Sequence, residues 1–203
     1  CASGYYHGVL SRALVNVKSF AASALGAVSR KLCASDEVRA LAELEYQCLH
    51  GLGHGLMITT GYDLPKSLAV CDRLSGEWEA TSCNGGVFME SFSPSLDLKP
   101  PPFDAKDPLA PCPTVAQAHK LYCYLQVADN LVRGTGYDWS RIAAACRTER
   151  DASWRAICFQ GYGRQASGNN YGTPQAVAEL CAAAGTDGEP ECVYGAAPDI
   201  AIN

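Results

Sequence analysis

The arrangement of the cysteines constrains this chain more than any other feature. Eleven occur in 203 residues, and ten fall into five sequential couples: Cys33 and Cys48, Cys71 and Cys83, Cys112 and Cys123, Cys146 and Cys158, Cys181 and Cys192. Partners are separated by 14, 11, 10, 11 and 10 residues, and the second members recur every 34 to 40 residues. A fixed period in this range is the mark of a repeat array. Cys1 fits the same series, one longer step earlier. No C-x-x-C occurs, so the density speaks for disulfides in an oxidising compartment rather than for a metal cluster.

Residues around the second cysteines share a register. Gly4, Gly51, Gly86, Gly161 and Gly195 each follow such a cysteine by three positions, with Gln126 the exception. Glycine inside a helix costs about 1 kcal/mol relative to alanine, so a shared reason is expected. Close approach of neighbouring helices is one; room for a ligand is the other. Each first cysteine closes a short helical pattern. Asp63 with Pro65 and Thr173 with Pro174 are helix-start signals, and Gly136-Tyr137-Asp138 matches Gly61-Tyr62-Asp63. Each second cysteine lies early in another helix, as in 36–48 and 114–123. Trp78 and Trp154 read as core anchors.

Two helices per period, joined by a tight turn, predict an all-α chain. The expected architecture is one domain over 1–203, a disulfide-stapled α/α-hairpin repeat in a solenoid-like array. It has about five units and a partial N-terminal one. Local couples would join helix A to helix B of one hairpin, each loop contributing on the order of 3 kcal/mol. Pairing between neighbouring units is the alternative. In these alternating cysteines and helices the chain resembles secreted cysteine-rich Sel1-like repeats, which also staple helical hairpins with disulfides; the likeness is architectural. Residues 91–113 hold seven of the eleven prolines, including Pro100-Pro101-Pro102. This stretch is expected to be a long loop in place of one helix A, either partner-contacting or a plain insertion. Residues 16–30 read as an Ala/Ser/Val-rich helix.

Composition excludes several classes. Net charge is −5, and the 16 Lys and Arg form no run, so nothing suggests nucleic acid or an anionic membrane as partner. No apolar stretch is long enough to span a bilayer. An extracytoplasmic location, periplasmic or secreted, is expected from the cysteines. Cys1-Ala2-Ser3 also fits the lipid-bearing first residue of a bacterial lipoprotein; a Cys1 partner further upstream is the competing reading.

The same register lines up candidate chemistry. Six residues after successive second cysteines stand His7, His54, Met89, Asp129 and Arg164; Glu90 and Gln165 stand seven after. His50 lies one turn before His54, and H-x-x-x-H on a helix lets two imidazoles bind one metal. His7, His50 and His54 are therefore candidate ligands. Glu90 is either a fourth ligand or the catalytic general base beside the metal. The cofactor expected is a divalent transition metal, zinc or copper. Met89, Asp129, Arg164 and Gln165 would contact a polar substrate along the groove, with Arg164 suited to a carboxylate or phosphate. A pair of structural, hydrogen-bonded histidines is the plainer reading. A second function class is a non-catalytic assembly subunit that binds a peptide or a larger protein complex through the repeat surface and the Pro-rich loop. Its aromatic residues would be Tyr5, Tyr6, Tyr122, Tyr124, Phe159, Tyr162 and Tyr194, which equally suit core packing.

Overall fold

The computed structural model describes Leu14, residues 22–95 and residues 103–201; the side chains of 22–24 and 199–201 are left aside. Cys1, Tyr5, Tyr6, His7, Gly4 and the triple proline lie outside these residues. Among the described residues there are ten α-helices and no strand, so the all-α expectation holds. They group into two compact units, Cys1–Leu98 and Lys99–Asn203.

The first unit contains α1 (Ala22–Leu32), α2 (Asp36–Arg39), α3 (Ala42–Thr59), α4 (Leu64–Cys71) and α5 (Glu77–Phe92). Helices α3 and α5 pack along each other, and α4 packs on α5 and α1. Every residue from Cys48 to Met57 is buried, so this stretch of α3 is covered on all sides, the pattern of a buried helix. Asp63 caps α4 by accepting from the Lys66 amide at 3.0 Å. The helix expected over 36–48 is interrupted: Ser35 caps a single turn, and Leu41 then takes an extended conformation from which α3 starts. Ser91 and Phe92, expected in the loop, form the end of α5, where Phe92 is buried against Phe88.

The second unit contains a run of turns over 104–114, a 3-10 turn (Gln117–His119), α6 (Lys120–Thr135), α7 (Trp139–Cys146), α8 (Ala152–Asn169), α9 (Pro174–Ala183) and α10 (Glu189–Ala201). Helix α8 packs against both α6 and α10. The α-helix expected over 114–123 begins only at Lys120, because the Pro-flanked chain at Pro111 and Pro113 turns instead, with Thr114 bonded back to Pro111. Buried Tyr124, Phe159 and Tyr162 fill the core. Trp154 stacks on Tyr124 at 5.9 Å between centroids. Trp78, by contrast, is 46% exposed and is not a core anchor.

Five disulfides join the sequential couples, with Cα–Cα distances of 5.3–5.8 Å. Cys71 and Cys146 are the last residues of α4 and α7, and each is tied to the second turn of the following helix. Five intramolecular bridges fit an oxidising, extracytoplasmic environment. Among the described residues, no helix is long and apolar enough to cross a membrane.

Three of the recurrent glycines, Gly86, Gly161 and Gly195, are explained by backbone contact. A Cβ on Gly86 would collide with the His50 carbonyl of α3, and one on Gly195 with the Gln160 carbonyl of α8. One on Gly161 would meet the Leu125 carbonyl of α6. His50, Leu125 and Gln160 all stand two residues after their own cysteine. The contact is reciprocal: Gly53 and Gly163, five residues after Cys48 and Cys158, face the carbonyls of Cys83 and Cys192. The α3–α5 and α8–α10 pairs thus meet in one register, with no side chain between the backbones.

Candidate functional site

The close approach of α3 and α5 brings two segments 36 residues apart in sequence to hydrogen-bonding distance. Glu90, on the last turn of α5, has no exposed surface. A buried carboxylate without partners would be untenable, and this one accepts four hydrogen bonds. Its Oε2 takes the Nδ1 of His54 at 2.8 Å. Its Oε1 takes the Tyr62 hydroxyl at 2.6 Å, the Ser95 amide at 2.8 Å and the Ser95 hydroxyl at 3.0 Å. Burial pushes the Glu90 carboxyl up, but the bonds from His54, Tyr62 and Ser95 outweigh it and hold the group below the usual carboxylate range. Glu90 is therefore ionised at neutral pH.

His54 is 6% exposed and His50 7%. Four residues apart on α3, they share one face, and their Nε2 atoms lie 3.3 Å apart. Because an ionised carboxylate only accepts, His54 donates through Nδ1; in the neutral ring its Nε2 then carries a lone pair toward His50. The rings meet edge to face at 5.0 Å, and Tyr46 stacks on His50 at 5.4 Å. The order along this buried line is Tyr62, Glu90, His54, His50.

Three of the expected site residues are thus brought together: His50, His54 and Glu90. Their order bears on the role of Glu90. Glu90 faces Nδ1 of His54 rather than the space between the two Nε2 atoms, and both its oxygens are occupied by donors, so it orients a histidine instead of joining the histidines around one point. Oε1 accepts three of the four bonds and Oε2 one. His7 lies outside the described residues. Among those described, no group of three or more His, Cys, Asp or Glu side chains converges as a metal would require.

The residues expected to contact substrate divide between the two units. Met89 is half-buried beside Glu90 in the first unit. Asp129, Arg164 and Gln165 belong to the second unit, all half-buried. Asp129 is engaged in an ion pair with Arg133, one turn along α6, and Gln165 accepts from the Asn169 side chain. Within the second unit, position six after the cysteine is thus turned partly to local helix pairing.

Sequence reasoning missed Tyr62 and Ser95. Tyr62 stood in view as part of the repeated Gly-Tyr-Asp signal, but that signal marks a helix start. What places its hydroxyl is the turn before α4. Gly61 and Tyr62 both take left-handed conformations, at φ +71° and +64°. The Tyr62 amide bonds the Met57 carbonyl at 2.8 Å and the Gly61 amide bonds that of Ile58 at 3.2 Å, a Schellman-type closure of α3. Ser95 carried no sequence signal at all.

Compared with protein-family models, with curated proteins and with solved structures, the chain matches none.

Proposed function

We propose that this extracytoplasmic, disulfide-rich helical protein, periplasmic or secreted, carries a zinc site built on His50 and His54. The observation that carries the reading is the 3.3 Å separation of the two Nε2 atoms, with a buried carboxylate on the far nitrogen of one ring. A histidine that gives its other N–H to a carboxylate is the usual setting of a metal ligand. Two nitrogens 3.3 Å apart, each about 2.05 Å from a common centre, subtend about 107° there, near the tetrahedral angle. Adjacent nitrogens of a square-planar copper(II) site would stand about 2.9 Å apart. The spacing therefore supports a tetrahedral site, which zinc prefers, over a square-planar copper(II) site. His7, which shares the register of His54, is the proposed third ligand. Three protein ligands with an open fourth position would suit a metal-dependent enzyme acting on a polar substrate. Met89, Asp129, Arg164 and Gln165 remain the proposed contacts of that substrate. Elemental analysis of protein purified without chelator tests the site. Stoichiometric zinc that is lost in His54→Ala is expected; wild-type protein that neither carries nor takes up zinc would overturn it.

The common register of α3–α5 and α8–α10, together with the local disulfides, supports reading the chain as stacked, stapled hairpins. A non-catalytic assembly role is the second reading. Its support is an apolar cleft between α9 and α10 lined by Pro174, Val177, Ala178, Val193, Ala196 and Ala197, beside the 70% exposed Tyr194. Under that reading Val193→Asp abolishes association with a protein partner, and His54→Ala leaves it intact.

A further inference from the structure

Tyr62 is held in a backbone conformation that a bulky side chain rarely takes, φ +64°. The equivalent turn of the second unit has the same geometry at Tyr137, also φ +64°, and there too the tyrosine amide closes the preceding helix, on the Val132 carbonyl at 2.9 Å. The two rings nevertheless have different surroundings. Tyr137 is 56% exposed. Tyr62 reaches Glu90 with its hydroxyl at 2.6 Å. Seven positions after the cysteine the first unit has Glu90, where α8 has Gln165. The turn by itself does not call for a hydroxyl contact. The contact is made in the unit that also holds the histidine pair.

We infer that Tyr62 is a positioning residue for the histidine pair, acting through Glu90 to hold His54 with Nδ1 protonated and Nε2 aimed at His50. The carboxylate can rotate about its terminal bond unless both oxygens are pinned. Tyr62 and Ser95 pin Oε1 from two directions, the α3–α4 turn and the chain leaving α5. That leaves Oε2 as the acceptor of the His54 Nδ1 proton. The consequence for metal affinity rests on the zinc reading above; the consequence for the tautomer does not.

The test compares the full chain with Tyr62→Phe and Tyr137→Phe, each of which keeps the ring and removes one hydroxyl. Ring-nitrogen NMR of the metal-free protein reports the His54 tautomer, and competition with a chelator reports zinc affinity. Wild type is expected to show the Nδ1–H form. Tyr62→Phe is expected to show a mixture of tautomers and about tenfold weaker zinc binding, with Tyr137→Phe unchanged in both. Tyr62→Phe with the wild-type tautomer and affinity, whatever its melting point, overturns the inference. Should that variant fail to fold, Ser95→Ala removes another donor from the same oxygen and is expected to shift the tautomer the same way; an unshifted tautomer there counts against it equally. Wild type that binds no zinc removes the zinc reading and leaves the tautomer to decide the role of Tyr62.

Discussion

At Gly86 the absence of one methyl group lets two helix backbones meet, and the His50 carbonyl occupies the space a Cβ would need. Neither backbone can yield without moving the histidine pair. Gly86→Ala is therefore expected to destabilise by about 1–3 kcal/mol through overpacking, measured by denaturant unfolding, and to weaken zinc binding along with it. Gly136 makes an instructive contrast. Among the described residues, nothing beyond its chain neighbours lies within 4 Å of a Cβ built there, but its φ is +66°. Gly136→Ala should cost about 1–2 kcal/mol through left-handed strain alone and leave His54 untouched. If Gly86→Ala proves silent, the close-packing account of the glycines fails. The residues that bind the candidate site together, His54, Glu90 and Tyr62, act by the same logic: each is fixed by what its neighbour leaves no room to do.

Helices α6 and α8 carry two buried tyrosines whose hydroxyls are committed to local partners. Tyr162 donates to the Leu180 carbonyl at 2.9 Å, and Tyr124 donates to Glu149. Burial raises the Tyr162 phenol from its ordinary value near 10 to about 12, with Arg147 opposing. Burial also raises Tyr124, helped by the bond to Glu149 and by the charges of Glu149, Asp151 and Asp107. A raised acid is favoured in its protonated form by the fold. The stability it confers is whole below pH about 10 and is lost as pH rises through about 12. Alkaline titration followed by tyrosinate absorbance should show at least two of the ten tyrosines ionising only as the helical signal collapses. Tyr162→Phe should remove part of that alkaline loss. The α7–α8 staple belongs to this scale as well: replacing Cys146 and Cys158 together by serine should cost about 2–4 kcal/mol, given a loop of 12 residues.

For the molecule as a whole, several helices are too short to stand alone. Helices α4 and α7 have eight residues each, below the length at which an isolated helix is stable in water. Each bridge contributes on the order of 3 kcal/mol, and domains of this size are typically stable by about 5–15 kcal/mol. Strong reductant is therefore expected to unfold the chain, seen as lost helical circular dichroism. Unreduced protein should give five disulfides in sequential couples by mass spectrometry. A melting point unmoved by reduction would show that packing alone carries the fold.

What the sequence determined by itself was local or periodic. The spacing of ten cysteines led to the disulfide couples, because a loop of about a dozen residues keeps its ends close in the unfolded chain as well. Asp63 and Asp138 announced their helices because a cap acts within one turn. The glycine register announced close approach because a cost repeated at one position needs one cause. The pairing of His54 with Glu90 across 36 residues was legible only as two members of one column. Their order, carboxylate on Nδ1 and histidine on Nε2, depended on how far α5 slides along α3, and backbone contact at Gly53 and Gly86 sets that. The break at Leu41 and the exposure of Trp78 were likewise decided by tertiary packing, which overrides helix propensity and hydrophobicity at single positions. Tyr62 belongs to both levels. Its turn was written in Gly61-Tyr62-Asp63, but only a fold that lays α5 beside that turn brings a carboxylate to meet its hydroxyl.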